Sequence, residues 1–248
     1  MLIRSLLVLC LSLALPAWAA PQEALWKAAR GEQAGLLLTL EQLCAIESGS
    51  REPAGLRQIA DLLAERLRAL GGEVELVEPD EVYRMDDTPE QLGRSVKAVF
   101  RGKGSKRLLL MAHMDTVYPA GMLARQPFGI RDDKAYGLGI ADDKQGLAVV
   151  LHSLALLRAL RYEQYGQITV LFNADEEISS PGSRALITRL GAEHDAVMSF
   201  AGSGASSDRL SLATAGIASV GLRVHGRAAH AGGGAQFGVN ALYELSHQ

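Results

Sequence analysis

The sequence predicts an α/β fold: a mainly parallel sheet with helices on both faces, followed by the start of a smaller α+β domain. Three observations carry this expectation. Apolar runs of strand length alternate with stretches of helical period, the order of a chain that crosses over between parallel strands. Ionisable residues collect where the apolar runs end. After Ser206 the pattern changes to a stretch that reads as extended antiparallel β.

The N-terminus stands apart. Arg4 and Ser5 precede LLVLCLSLAL, an apolar run too short to span a bilayer comfortably, and PAWAAPQ follows with Ala17 and Ala19 in an A-x-A pattern. Residues 1–19 are expected to be a secretory signal peptide cut after Ala19, so the protein is expected to be exported, periplasmic or secreted, with no stable membrane anchor. Cys10 leaves with that segment. Cys44 then has no internal disulfide partner, and in EQLCAIE it reads as a small core residue.

The remaining elements follow in order. PAGLRQIADLLAERLRAL (53–70) places Leu56, Ile59, Leu63, Leu67 and Leu70 on one helical face, and Gly71–Gly72 stop it. EVELVE is a short alternating strand. SVKAVFRG and KRLLLMAHM read as two strands joined by GKGSK, which lacks the spacing of a phosphate loop and is expected to be a hairpin connection. DKQGLAVVLHSLALLRAL is a helix with Leu147, Val150, Leu151, Leu154 and Leu157 on one side. QITVLFNA (167–174) is a buried strand, SRALITRL a helix, DAVMSFA a strand. The second domain is expected from Thr214, with LSLATAGIASVGLRVHG extended and VNALYELSHQ helical. No repeat or low-complexity tract interrupts the chain.

Composition narrows the function. The 248 residues are 48% apolar and 21% charged, an ordinary core-forming balance, and the net charge of −3 offers nothing to a nucleic acid. No G-x-S-x-G occurs; AGSGA at 201–205 only approximates it, against a serine hydrolase.

In open α/β sheets ligands bind beyond the carboxyl ends of the strands. There this chain carries His113 and Asp115, then Asp142 and Asp143 before the long helix, then Asp175, Glu176 and Glu177 after ITVLFNA. Taken singly, each has a plain structural reading: a surface pair, a helix start favoured by the dipole, a solvated acidic turn. Together on one sheet edge they form the imidazole–carboxylate set of a metal such as zinc. Two ions sharing a site need a bridging carboxylate and lower the pKa of a shared water. A histidine ligand needs a carboxylate to fix its tautomer. A further carboxylate must stay free to take a proton. Adjacent Glu176 and Glu177 offer one group as a metal ligand and one as the base.

HMDTVYPAGMLARQPFGIRDDKAYGLGIADDKQGLAVVLHSL, followed by ITVLFNADEEISSPGSRALI, resembles the co-catalytic zinc metallopeptidases that include aminoacylases and desuccinylases. Within them it looks closest to exported glutamate carboxypeptidases that cleave folates and related N-acyl glutamates. The resemblance implies a zinc-exopeptidase fold with 20–213 as the metal-binding catalytic domain and 214–248 as the beginning of a lid and dimerisation domain. It implies zinc, two ions in a complete site, with His113, Asp142 and Glu177 as ligands. Asp142 would bridge the ions and precede a cis peptide bond to Asp143. Asp115 would orient His113, Glu176 would be the general base, and His230 in GRAAHAG would contact substrate. The implied substrate is a small peptide or N-acyl amino acid. Relatives form homodimers through the lid.

The sequence departs from that family at two places. DAVMSFA should end in a carboxylate ligand, yet Ala201 stands there; Ser203 and Ser206 are poor replacements and Asp208 lies seven residues on. Relatives also continue past the position of Gln248, completing the lid and adding a final histidine ligand. These departures set beside the enzyme a second expectation: a homologue that binds substrate without hydrolysing it. They also lead to the expectation of a marginally stable or associating chain, because an incomplete lid leaves strand edges and apolar faces uncovered.

Overall fold

Buried on both faces, the apolar run in QITVLFN needs a neighbouring strand on each side, and the sheet is built around it. The computed structural model describes residues 23–202, 210–213, 216 and 220–248. The expected signal peptide, 1–19, lies outside the described residues, as do Thr214, Ala215 and residues 217–219 of the expected extended stretch. The described residues up to Gly202 form one compact unit and those from Leu210 a second.

The first unit runs α1 (Glu23–Gly31), α2 (Gln33–Cys44), α3 (Pro53–Ala69), β1 (Glu73–Val77), β2 (Ser95–Arg101), β3 (Arg107–His113), β4 (Gly129–Arg131), β5 (Lys134–Tyr136), α4 (Gln145–Ala159), β6 (Gln167–Asn173), α5 (Arg184–Ala192) and β7 (Ala196–Ser199). The five-stranded sheet has the order β1-β2-β6-β3-β7, and β4 and β5 form a separate ribbon. β3 is parallel to both β6 and β7, whereas β2 is antiparallel to β1 and β6. Only β2 therefore runs against the others, giving the mixed, mostly parallel sheet the sequence implied.

The expected β2–β3 hairpin is not formed. β6 lies between the two strands, so that Val170 is paired with Ala98 on one side and Leu110 on the other. The glycine-rich linker pairs instead with the segment entering β6: the Gly102 amide donates to the Gly166 carbonyl (3.1 Å) and that of Gly104 to Tyr165 (2.8 Å). Burying β6 between two strands satisfies its backbone within the apolar interior, which a local hairpin would not do.

Side-chain alternation then covers both faces. Leu56, Ile59, Leu63 and Leu67 of α3 and Leu147, Val150, Leu151 and Leu154 of α4 pack with Val96, Ala98, Val170 and Phe172 in the main core. Leu186 and Leu190 of α5 cover Leu109 and Leu171 on the opposite face. At roughly 1.5–3 kcal/mol for each fully buried aliphatic side chain, these contacts outweigh any surface pair on α3. Pro53 opens α3 at a position where its missing N–H costs nothing, and Gly71, with φ of +95°, ends it in the left-handed region. Cys44 is a free, buried thiol, as its apolar setting implied.

What matters most for the site is register. His113, the last residue of β3, sits opposite Asn173, the last of β6. The polar segments that follow, 114–116 and 174–177, therefore leave the sheet side by side.

In the second unit, α6 (Ala241–Leu245) is capped by Asn240, whose side chain accepts the amides of Leu242 and Tyr243. Among the described residues there, the expected strand pair reduces to one bridge, Arg227 with Val239. No described helix is long and apolar enough to cross a membrane.

Candidate functional site

His113 is 5% exposed and both its ring nitrogens face oxygen. Nδ1 lies 3.1 Å from the Asp115 carbonyl oxygen and 3.3 Å from Asp115 Oδ1, while Nε2 lies 3.0 Å from Asp142 Oδ1 and 3.9 Å from Glu176 Oε2. Burial alone would lower the imidazole pKa. The Asp115 hydrogen bond and charge, helped by Asp143 and Glu176, overcome it and push the value up to about 10. A cation held between Nε2 and Asp142 would take the place of that proton.

Asp115 is fully buried and its lone pairs are spoken for. Oδ2 accepts the Ser50 hydroxyl (2.7 Å) and the Glu177 amide (3.1 Å); Oδ1 accepts the Glu176 amide (3.1 Å). A carboxylate so engaged serves to orient rather than to ligate. Ser50 belongs to none of the motifs that the sequence singles out. It reaches Asp115 because Ser50 N donates to the Thr116 carbonyl (3.1 Å) and Thr116 N to that of Ser48 (2.9 Å), lacing the α2–α3 connection to the chain after β3.

The Asp142–Asp143 peptide is cis, the geometry the resemblance implied. The two carboxylates have opposite surroundings. Asp142 is mostly exposed at the sheet edge. Asp143 is fully buried; its Oδ2 accepts the His113 amide (3.2 Å), and Oδ1 has no partner. Burial pushes Asp143 up to about 7 against the opposing charge of His113. Burial, then the charge of Asp142, pushes Glu177 up to about 7, and burial also raises Glu176. The edge thus concentrates carboxylates around one imidazole, an arrangement that favours a cation.

Two further residues depart from a surface reading of the motifs. Asp175 is buried and turned to its own loop, accepting the amides of Gly182 (2.6 Å) and Ser183 (3.1 Å) and the Ser183 hydroxyl (2.5 Å). It latches the turn that carries Glu176 and Glu177. Lys144, at the helix start that follows Asp142 and Asp143, is wholly buried, with Nζ donating to the Ile46 carbonyl (2.8 Å) and burial pulling its pKa down to about 8.

The structure thus brings His113, Asp115, Asp142, Glu176 and Glu177 to one edge. His230 lies in the second unit, where its Nδ1 accepts the amides of Gly232 (3.1 Å) and Gly233 (2.9 Å). The chain at Ala201 passes against this edge: a Cβ added to Gly202 would lie 3.5 Å from Asp142 Cβ, and Gln145 Nε2 donates to the Ala201 carbonyl (3.4 Å). The alanine side chain at position 201 brings no donor. Ser203, Ser206 and Asp208 lie outside the described residues. Among the described residues, no three His, Cys, Asp or Glu side chains close around a single point as a finished metal cage would. The donor types nevertheless fit zinc: an imidazole Nε2 facing a carboxylate, with Nδ1 held by a second, buried carboxylate.

Fold and edge together define an α/β protein of the zinc-exopeptidase type. Residues 109–242, more than half of the chain, match the model of Peptidase family M20/M25/M40, and the chain belongs to that family. It is 45% identical over 222 residues to Carboxypeptidase G2 of Pseudomonas sp. (strain RS-16), covering 90% of this chain and 52% of that protein. Acetylornithine deacetylase of Photorhabdus laumondii subsp. laumondii is 33% identical over 129 residues, 51% of this chain and 31% of that one. The chain thus spans about half the length, or less, of these relatives. Among solved structures, human carnosine dipeptidase 1 superposes with a TM-score of 0.60 at 21% identity, covering 71% of this chain and 40% of its own. The Saccharomyces cerevisiae dipeptidase Dug1p gives 0.61 at 19% identity, with the same coverage of 71% and 40%. These two likenesses show the fold.

Proposed function

We propose that the protein is a zinc-dependent metallopeptidase or amidohydrolase, a carboxypeptidase releasing C-terminal glutamate from N-acyl or folate-like substrates. The observation that carries the reading is His113, its Nδ1 held by buried Asp115 and its Nε2 facing Asp142, with Glu176 alongside. Family membership and the likeness to Carboxypeptidase G2 support the carboxypeptidase class. The glutamate preference rests on the resemblance of the motifs.

His113, Asp142 and Glu177 would hold zinc, which when bound lowers the pKa of a water and polarises an amide carbonyl. Asp115 keeps the proton on Nδ1, so that Nε2 presents its lone pair to the edge. Glu176 has its carboxylate 3.9 Å from His113 Nε2 and a pKa raised by burial; it takes the proton from water and returns it to the leaving amine.

Ala201 favours a second reading, a homologue that binds substrate without hydrolysing it. Zinc content per purified chain after dialysis separates the two. Close to two ions, with hydrolysis of an N-acyl glutamate, supports the enzyme; one or none, without hydrolysis, supports the binder. Gain of hydrolysis in Ala201→Glu would assign the loss to that side chain.

Export is part of the proposal and rests on residues 1–19. The mass of the mature chain recovered from a periplasmic fraction, beginning at Ala20, is the measurement that checks it.

A further inference from the structure

A cavity of about 310 Å³ opens beside Glu177, lined in part by Gly49, Arg51, Glu52, Tyr118 and Pro119. Its floor is the lacing between the α2–α3 connection and the chain after β3, where Gly49 bridges Thr116. The approach is tight: a Cβ on Gly49 would meet the Tyr118 carbonyl oxygen at 2.5 Å. The loop wall is fixed from behind by Glu47, whose carboxylate accepts the amides of Gly121 (3.0 Å) and Leu123 (2.7 Å). The cavity is therefore a built feature of the first unit, of a size for a small side chain or terminal group.

Asp142, Glu176, Glu177 and the cavity's own Glu52 would all repel an anionic substrate, and among the residues lining the cavity Arg51 is the one cation. Arg51 is half-exposed and rests on the loop between β1 and β2, where NH1 donates to the Asp87 carbonyl (2.6 Å) and NH2 to Asp87 Oδ2 (2.9 Å). Those bonds occupy two of its five N–H donors. An exposed pair of this kind contributes little and exchanges readily for a carboxylate that arrives with further contacts.

We propose that Arg51 is a substrate-binding residue that receives a carboxylate of the acyl amino acid in the cavity beside Glu177. The inference rests on the reading of the site as one for N-acyl amino acids, and it names the group that selects an anionic substrate. Asp87 holds the guanidinium when substrate is absent and competes with the substrate carboxylate when substrate arrives.

The test is titration of the purified, zinc-free chain with N-acetyl-L-glutamate, followed by NMR shifts, with N-acetyl-L-leucinamide as the uncharged control. The expected result is saturable binding of the glutamate derivative alone, weakened about tenfold or more in Arg51→Ala and not weakened in Asp87→Asn. Matching melting curves exclude a folding defect in either variant. Unchanged binding by Arg51→Ala, no saturable binding by the native chain, or an equal loss in Asp87→Asn would each overturn the proposal. Hydrolysis is assayed separately with zinc. Arg51-dependent binding without turnover would leave this inference standing and sink the enzyme reading; turnover indifferent to Arg51→Ala would do the reverse.

Discussion

Buried Asp115 holds His113 through the ring: Oδ1 is 3.3 Å from Nδ1, and three other donors, the Ser50 hydroxyl and the amides of Glu176 and Glu177, load the same carboxylate. Asp115→Asn keeps the size but offers a single acceptor oxygen and an amide donor where the ring and two amides need acceptors. Zinc affinity is expected to fall by about 10–100-fold, measured by competition with a chelator. Undiminished affinity would remove Asp115 from the site.

Ser50→Ala tests the same carboxylate as a matter of stability. It removes a 2.7 Å hydrogen bond to a fully buried charge without adding bulk. The expected cost is about 1–3 kcal/mol in urea unfolding, because the carboxylate cannot recover the bond from solvent.

Gly55→Ala probes the close packing of α3 on the preceding connection. An added Cβ would lie 1.7 Å from the Glu47 carbonyl oxygen, and the obstacle is backbone rather than a movable side chain. A destabilisation of about 3 kcal/mol is expected. Gly31→Ala is the control: it ends α1 with nothing within 4 Å of the new Cβ, so it should be neutral or stabilising by up to about 1 kcal/mol.

Glu47 supplies a pH test away from the carboxylate-rich edge. The amides of Leu123 and Gly121 hold its carboxyl below the ordinary glutamate range. A folded pKa below the unfolded one means that the clamp is complete above the unfolded value and is lost as pH falls through the folded one. The Gly121 and Leu123 amide shifts should therefore titrate together, with a midpoint below about 4.3. A midpoint at or above that value would show that the carboxylate does not hold the loop.

Cys44 is buried, and burial raises its thiol pKa. Mass-detected labelling at pH 8 should leave Cys44 unmodified in the folded chain and modify it fully in urea. Rapid labelling without denaturant would mean that the end of α2 opens readily.

The sequence by itself determined the local elements, because periodicity is a local property. Leu56, Ile59, Leu63 and Leu67 recur at the spacing of one helical face, so α3 could be read almost to its ends, and the unbroken apolar run of β6 marked a strand buried on both sides. The polar residues at the strand ends were also legible, since ionisable side chains directly after apolar strands are seldom placed there for packing. Tertiary structure alone decided which strands became neighbours. β2 and β3 are adjacent in sequence and looked like a hairpin, but β6 had two apolar faces to bury and two rows of backbone groups to satisfy, so it lies between them. The surroundings of each ionisable group were decided in the same way. Asp143 and Lys144 lie at what reads as a helix start and are buried; Ser50, which no motif singles out, bonds Asp115 across 65 positions. Burial and long-range hydrogen bonds depend on which segments the folded sheet brings together, and no window of sequence contains both partners.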